Sequence, residues 1–316
     1  MAVVLYALAT IGFSGGNIFY DSLLPAVASP GRMDWVSALG YGLGYLGGGL
    51  LFALNVVMTL KPAVFGFADT VQAIRFAFLT VGIWWAVFSI PIMLFVKEPH
   101  TGEAKRGPGA VRAGLAQLAQ TFREIRELKA IVLFLIAYWL YIDGVDTIIR
   151  MAVDYGMSIG FQSSDLIVAL LITQFVGFPA AIGFGWLGGR IGTKRGIYLA
   201  ILVYIGVCLW GAFMRNAFEF YALAVTIGLV QGGIQALSRS YYGRIIPADK
   251  SAEFFGFYNM LGKFAVVLGP LLMAGVGLLA RSLGVSGPVA SRLSISSVAL
   301  LFILGAALLA FADEKR

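Results

Sequence analysis

A chain of 316 residues that is 59% hydrophobic and only 12% charged is too apolar for a soluble domain, in which about a quarter of residues are charged. It is read as an integral, all-α polytopic membrane protein. The formal net charge of +7 does not mark a nucleic-acid binder, because the basic residues lie between hydrophobic segments rather than along one face. A single cysteine, Cys208, and a single histidine, His100, exclude a disulfide framework and a Cys/His metal centre. Cys208 sits within an apolar run and reads as packing.

Nine segments reach the roughly 20 mostly apolar residues required of a spanning helix: 2–27, 35–60, 73–96, 130–150, 165–187, 196–214, 219–240, 253–280 and 289–312. They are too long and continuous for a membrane β-barrel, whose strands alternate over roughly ten residues. The first lacks the basic start and cleavage site of a secretory leader and is read as a span. With the polar stretch 97–129 placed inside, sixteen of the 23 Lys and Arg fall inside and six outside, with Lys263 within a span. The positive-inside rule then puts the C-terminus in the cytoplasm and, for an odd number of spans, the N-terminus outside.

In chain order, the first span carries polar Asn17, Tyr20 and Asp21 near its end. Gly12 and Gly16 there, Gly40, Gly44 and Gly48 in the second span, and Gly228 and Gly232 in the seventh repeat every fourth residue, which lets helix backbones approach in lipid. Tyr41 and Tyr45, a turn apart, read as packing. Gly42, Gly44 and Gly47 satisfy GxGxxG, but no strand precedes them and a dinucleotide loop is rejected. GxxxxGK[ST] occurs nowhere, which removes an ATP-driven pump on this chain, and no cofactor is expected. Within the polar segment, Val111, Leu115, Leu118, Phe122 and Ile125 recur at threes and fours. That predicts a helix over 110–128, either amphipathic on the membrane surface or a solvated linker.

Ionisable groups inside spans are costly and are functional candidates by default. The fourth span holds Asp143, Asp146 and Arg150, whose spacing of three and then four puts them on one helical face, with Arg150 placed to pair with Asp146. Two readings stand: a structural salt bridge at the outer mouth, or contact with substrate, proton or gate. Under the second, Asp143→Asn is expected to uncouple flux from pH. Lys263 is the one cation deep in a span, a turn beyond Asn259, and needs a buried partner or a water-filled cavity. Gln231, Gln235 and then Ser238 or Arg239 follow at one-turn intervals in the seventh span; the glutamines hydrogen-bond either a solute or a neighbouring helix. Asp143-x-x-Asp146 is similar to the metal-binding aspartates of intramembrane prenyltransferases, but such an enzyme needs a second paired motif that no other span supplies.

The loop Gly185-Trp186-Leu187-Gly188-Gly189-Arg190-Ile191-Gly192-Thr193-Lys194-Arg195 resembles the GxLaDrxGrkr loop of the major facilitator superfamily, with Gly189 where an Asp is usual. ALSRSYYGRIIPADKSAEFFGFYNMLGKFAVVLGP (236–270), GNIFYDSLLPAVA (16–28) and SALGYGLGYLGGG (37–49) are similar to the vacuole effluxer family of that superfamily, which includes the autophagy-related vacuolar amino-acid exporter. The resemblance implies a major facilitator-type bundle of twelve helices in two halves. Residues 97–129 would be the cytoplasmic linker, 130–316 a six-helix C-terminal half, and 1–96 helices four to six of the first half. The chain is thus expected to show nine spans (3 + 6) of twelve and to be a fragment lacking three helices.

The same resemblance implies a secondary active transporter in a bacterial plasma membrane, moving a small polar solute by alternating access. Amino-acid efflux is the expected activity, with protons as candidate partners. Asp143, Asp146, Lys263, Gln231, Gln235, Asn259, Asn17 and Tyr20 are the expected pathway residues, and Arg150, Asp21 and Arg239 the gate or structural charges. If nine helices are the whole, a non-transporting regulatory or scaffold protein is the alternative.

Overall fold

A computed structural model describes residues 2–97, 110–158, 160–264 and 266–312. His100 and the start of the central polar segment lie outside the described residues. The described chain is helical, with no strand: α1 (Ala2–Ser22), α2 (Leu24–Val27), α3 (Met33–Leu60), α4 (Thr70–Phe95), α5 (Ala110–Glu127), α6 (Lys129–Ser158), α7 (Ser163–Ile191), α8 (Thr193–Phe213), α9 (Ala217–Ile245), α10 (Ser251–Phe264), α11 (Leu268–Ser282), α12 (Gly287–Ser297) and α13 (Ala299–Ala310). Nine segments among the described residues are long and apolar enough to cross a membrane, each coinciding with an expected span.

Local chemistry sets several boundaries. The Asp69 side chain accepts from the Gln72 amide at 2.7 Å and starts α4; Asn216 does the same for α9 through the Glu219 amide at 2.9 Å. Each satisfies an N–H that a helix start leaves free. Pro25 ends α1 early, because its ring displaces the carbonyl four residues back, that of Asp21. The continuous first span expected over 2–27 is therefore a helix followed by a short separate turn, with Asp21 at the junction.

The eighth span departs from expectation in the same way. It is two helices, α10 and α11, rather than one rod. Pro270 cannot donate to Val266 and crowds its carbonyl, so the helix breaks just before it. The amides freed by the break find a partner on α6: Asp143 accepts from Leu268 N at 2.9 Å and Gly269 N at 2.8 Å.

At the centre, α7 lies against both α3 and α9, and α3 also meets α9. Small residues permit this, as packing in lipid requires. A Cβ on Gly42 would stand 3.1 Å from the Phe178 carbonyl, and one on Gly228 3.1 Å from that of Thr173. The glycine expectation holds at Gly228 and Gly232 but not throughout. Gly12 and Gly44 face open space. Of the 40–44–48 ladder, Gly48 meets Gln174 of α7 and Gly40 meets Tyr20 and Arg239, while Gly42 and Gly49 also lie against α7.

A second core is aromatic, where α6, α9 and α10 converge. Tyr138 and Tyr258 stack with centroids 4.2 Å apart, and Phe134 and Tyr242 extend the stack. The margin is formed by α1 and α4, which keep apolar faces outward; on α4 only Ala73 is buried.

Candidate functional site

One end of the bundle, the end that carries α5, is closed by a buried charge layer. Arg239, near the end of α9, is 4% exposed, and each of its three guanidinium nitrogens donates a hydrogen bond. Nη1 donates to Asp21 Oδ1 at 2.9 Å, Nε to Ser37 Oγ at 3.0 Å and Nη2 to the Ser37 carbonyl at 2.9 Å. Asp21 also accepts from Asn259 Nδ2 at 3.0 Å. The cation lies 4.6 Å from the Tyr41 ring centroid and 5.3 Å from that of Tyr20. A single guanidinium thus ties together α1, α3, α9 and, through Asp21, α10. An arginine suits this because its planar fork presents five donors and stays charged when buried. Gly40 makes room: a Cβ there would come 2.7 Å from the Tyr20 hydroxyl and 3.3 Å from Arg239 Nη2.

A second layer lies one turn nearer the end. Asp34, buried at the start of α3, pairs with Arg244 Nη2 at 2.9 Å and accepts from Thr193 Oγ1 at 2.9 Å and from Ser240 Oγ. Sequence reasoning missed Asp34, Ser37, Thr193, Ser240 and Arg244. Asp34 falls just outside the expected second span. The signal was present, since Asp34, Ser37 and Tyr41 share one face of α3 at spacings of three and four.

The loop between α7 and α8 abuts this layer. Gly192 takes φ +94°, a turn that residues with a Cβ resist. Gly185 and Gly188 let α7 close onto α3: a Cβ on Gly185 would collide with that of Ala38, and one on Gly188 would stand 3.3 Å from Asp34 Oδ2. Gly189 faces open space. Arg190 lies 4.0 Å over the Trp186 ring, and Arg195 reaches the Ile191 carbonyl at 3.5 Å. Lys194 donates to the carbonyls of Ala310 and Ala312, at 3.1 Å each, so it caps the end of α13, where a cation is favoured.

Deeper in the bundle some polar groups are bonded and others are not. Asp143 is fully buried; besides the two α11 amides it accepts from Thr147 Oγ1 at 3.1 Å, which makes it a helix cap. No ion pair joins Asp146 to Arg150 among the described residues, so the pair expected from their spacing does not form. The reason lies in their surroundings: Asp146 is half-buried, while Arg150 turns out to the surface. Lys263 makes no ion pair with a described residue; it is exposed, with Nζ 5.0 Å over the Phe13 ring.

Gln235 accepts from the Tyr45 hydroxyl at 3.2 Å, so Tyr45 both packs and donates. Gln231 Oε1 and Trp139 Nε1 are buried without a partner. Asn17 is half-buried on α1, and Tyr20 is exposed beside the charge layer. At 1.5 Å per residue, Gln235 and Lys263 lie about 15–18 Å in from the α5 end and Asp146 about 25 Å in. Cys208 is buried, as the packing reading holds, against a cavity of about 90 Å³ that Gln231 also lines.

A helical bundle sealed at one end by paired charges, with unpaired ones behind, has the makeup of a membrane transporter, and its fold is of the major facilitator type. The crystal structure of a variant of the Escherichia coli fucose:proton symporter FucP matches 94% of this chain and 73% of its own, with a TM-score of 0.57. At 15% identity that likeness speaks for the fold alone. Residues 1–316 match the family described as "Vacuole effluxer Atg22 like", and the chain belongs to that family.

Among its relatives, the uncharacterized MFS-type transporter YxiO of Bacillus subtilis (strain 168) is 38% identical over the whole of this chain, which covers 72% of YxiO. Autophagy-related protein 22 of Yarrowia lipolytica is 29% identical over 75% of this chain, and autophagy-related protein 22-2 of Aspergillus clavatus 25% identical over 75%. The chain spans only 44% and 42% of the length of these fungal proteins.

Proposed function

We propose that this chain is part or all of a secondary active transporter that moves a small polar solute by alternating access, with amino-acid efflux as its activity. The observation that carries the reading is the contrast in charge pairing. Arg239 and Asp21 bind each other across four helices at one end, while Lys263 and Asp146, further in, have no ion-pair partner among the described residues. Opening the α5 end requires Arg239 to release Asp21 and Ser37 together. The unpaired cation and anion behind it offer a zwitterion one contact for each charge, and Gln231 and Gln235 add hydrogen bonds. Efflux takes its support from the family's description and amino acids from the resemblance already stated; neither follows from geometry.

In this reading Asp146 is the stronger candidate for proton coupling, because the Asp143 carboxylate is already engaged by the α11 amides and Thr147. Asn17, Tyr20 and Asn259 edge the pathway next to the gate. Residues 97–129 act as a cytoplasmic linker between a partial first half, 1–96, and a second half, 130–316. The basic residues at the α5 end support that end being inside, and a bacterial plasma membrane rests on the family resemblance alone.

The test is flux in proteoliposomes. Protein reconstituted in both orientations should move a labelled neutral amino acid down its gradient, and an imposed pH gradient should drive accumulation. Lys263→Ala should abolish both. No movement of any amino acid, with or without a pH gradient, would sink the substrate assignment.

A further inference from the structure

The helix α5 has two working faces, and only one is satisfied by the protein. On the first, Lys250 pairs with Glu124 at 2.7 Å, Gln117 Nε2 donates to Glu253 at 3.0 Å, and Thr121 donates to the same carboxylate. Ile125 is 5% exposed, so this side is docked and fixed. At about 100° per residue, the next sector carries Leu118 and Phe122, 46% and 51% exposed; one side of the Phe122 ring stacks on Phe257 of α10, 6.1 Å away. Beyond them come Arg126, Arg112 and Arg123, all exposed, with Lys129 exposed just past the helix end. Glu127 is the one carboxylate on that outer side.

We propose that the outer face of α5 binds anionic phospholipid at the edge of the bilayer. Three facts of placement carry this. The docked face fixes the rotation of α5, so Leu118 and the free side of the Phe122 ring are held outward. The helix runs into the spanning helix α6 through Leu128 alone, which keeps it at the depth where a span leaves the hydrocarbon. Apolar side chains flanked by three arginines and a lysine then match acyl chains beside phosphate headgroups, as in interfacial helices. Zwitterionic lipid offers the apolar contact without a net charge for the arginines.

The docking also gives the contact a route to the gate. The helix that receives α5 is α10, which carries Asn259, the donor to Asp21. Lipid held on α5 therefore braces the same helix that supports the closed charge layer.

The experiment places an environment-sensitive NBD dye on Ala119→Cys in a Cys208→Ala background, with the protein in nanodiscs of phosphatidylcholine containing increasing phosphatidylglycerol. Residue 119 falls among the three arginines on the helix surface. The emission should shift to the blue as the anionic fraction rises. In Arg112→Gln/Arg123→Gln/Arg126→Gln most of the shift should be lost at every anionic fraction, since each basic residue near an anionic surface is worth about fivefold in binding and three are removed. An equal blue shift in pure phosphatidylcholine would overturn the proposal, as would an unchanged response in the triple variant. So would loss of the response in Arg190→Gln/Arg195→Gln while the α5 variant keeps it. All three arginines are exposed, so an unchanged melting temperature of the triple variant shows that it is folded.

Discussion

Arg239 and Lys263 are both cations within spanning helices, yet the fold treats them in opposite ways. Arg239 has a carboxylate, a hydroxyl, a carbonyl and two aromatic rings around it. Lys263 has one phenyl ring and open space. The difference teaches where to look for work on a ligand: a buried charge with complete partners holds a conformation, whereas a charge left without them is available to something that arrives.

The largest effect should come from breaking the satisfied layer. Asp21→Ala strands the Arg239 charge, which costs about 3–5 kcal/mol. The closed end should then open, and a Ser37→Cys probe should react with a maleimide that does not react in the parent. Asp21→Ala combined with Arg239→Met should regain much of the loss. A double variant no more stable than the single would show that pairing is not what closes this end.

Next in size is the other satisfied carboxylate. A Cβ at residue 269 would collide with Thr147 Oγ1 and fall 2.7 Å from Asp143 Oδ1. Gly269→Ala should therefore lower stability by about 1–3 kcal/mol, as overpacking does. Thr147→Ala in the same chain should relieve part of it, read as a thermal melt in detergent. The unsatisfied side predicts the reverse pattern. Lys263→Ala should change stability by less than about 0.5 kcal/mol, yet weaken solute binding about tenfold or more, as loss of a charged hydrogen bond would. A melting temperature that falls with binding would make Lys263 a structural cation after all.

The smallest effect concerns the α5 contact. The hydrogen bond from Lys250 holds the Glu124 carboxyl below its ordinary pKa. A lowered folded-state pKa means that this contact stabilises at neutral pH and is lost as pH falls through that value, below the usual carboxylate range. The pair is solvent-exposed and its contribution is small. The NBD signal from α5 should change only under that acid condition, and Glu124→Gln should remove the change.

The spans were legible because hydropathy over some twenty residues is a local property. Pairing was not. Asp146 and Arg150 are one turn apart and looked like partners, but Asp146 is half-buried among neighbouring helices while Arg150, nearer the end of α6, is exposed. Asp143 was legible as an important buried acid, but its partners are amides 125 and 126 residues away, freed by a proline that the sequence displayed without revealing what it would expose. Asp34 was hidden because it stands at a helix start, where a carboxylate usually needs no further explanation.

Composition and periodicity were enough by themselves to determine a helical membrane protein, because those signals depend only on neighbours along the chain; the major facilitator type came from the resemblance of a few blocks to a known family. The tertiary structure alone decided which charges are spent on holding the bundle and which are left over. A buried ion is stable only when its partners arrive from other helices, and which helices those are is set by rotation and close approach, not by spacing along one of them.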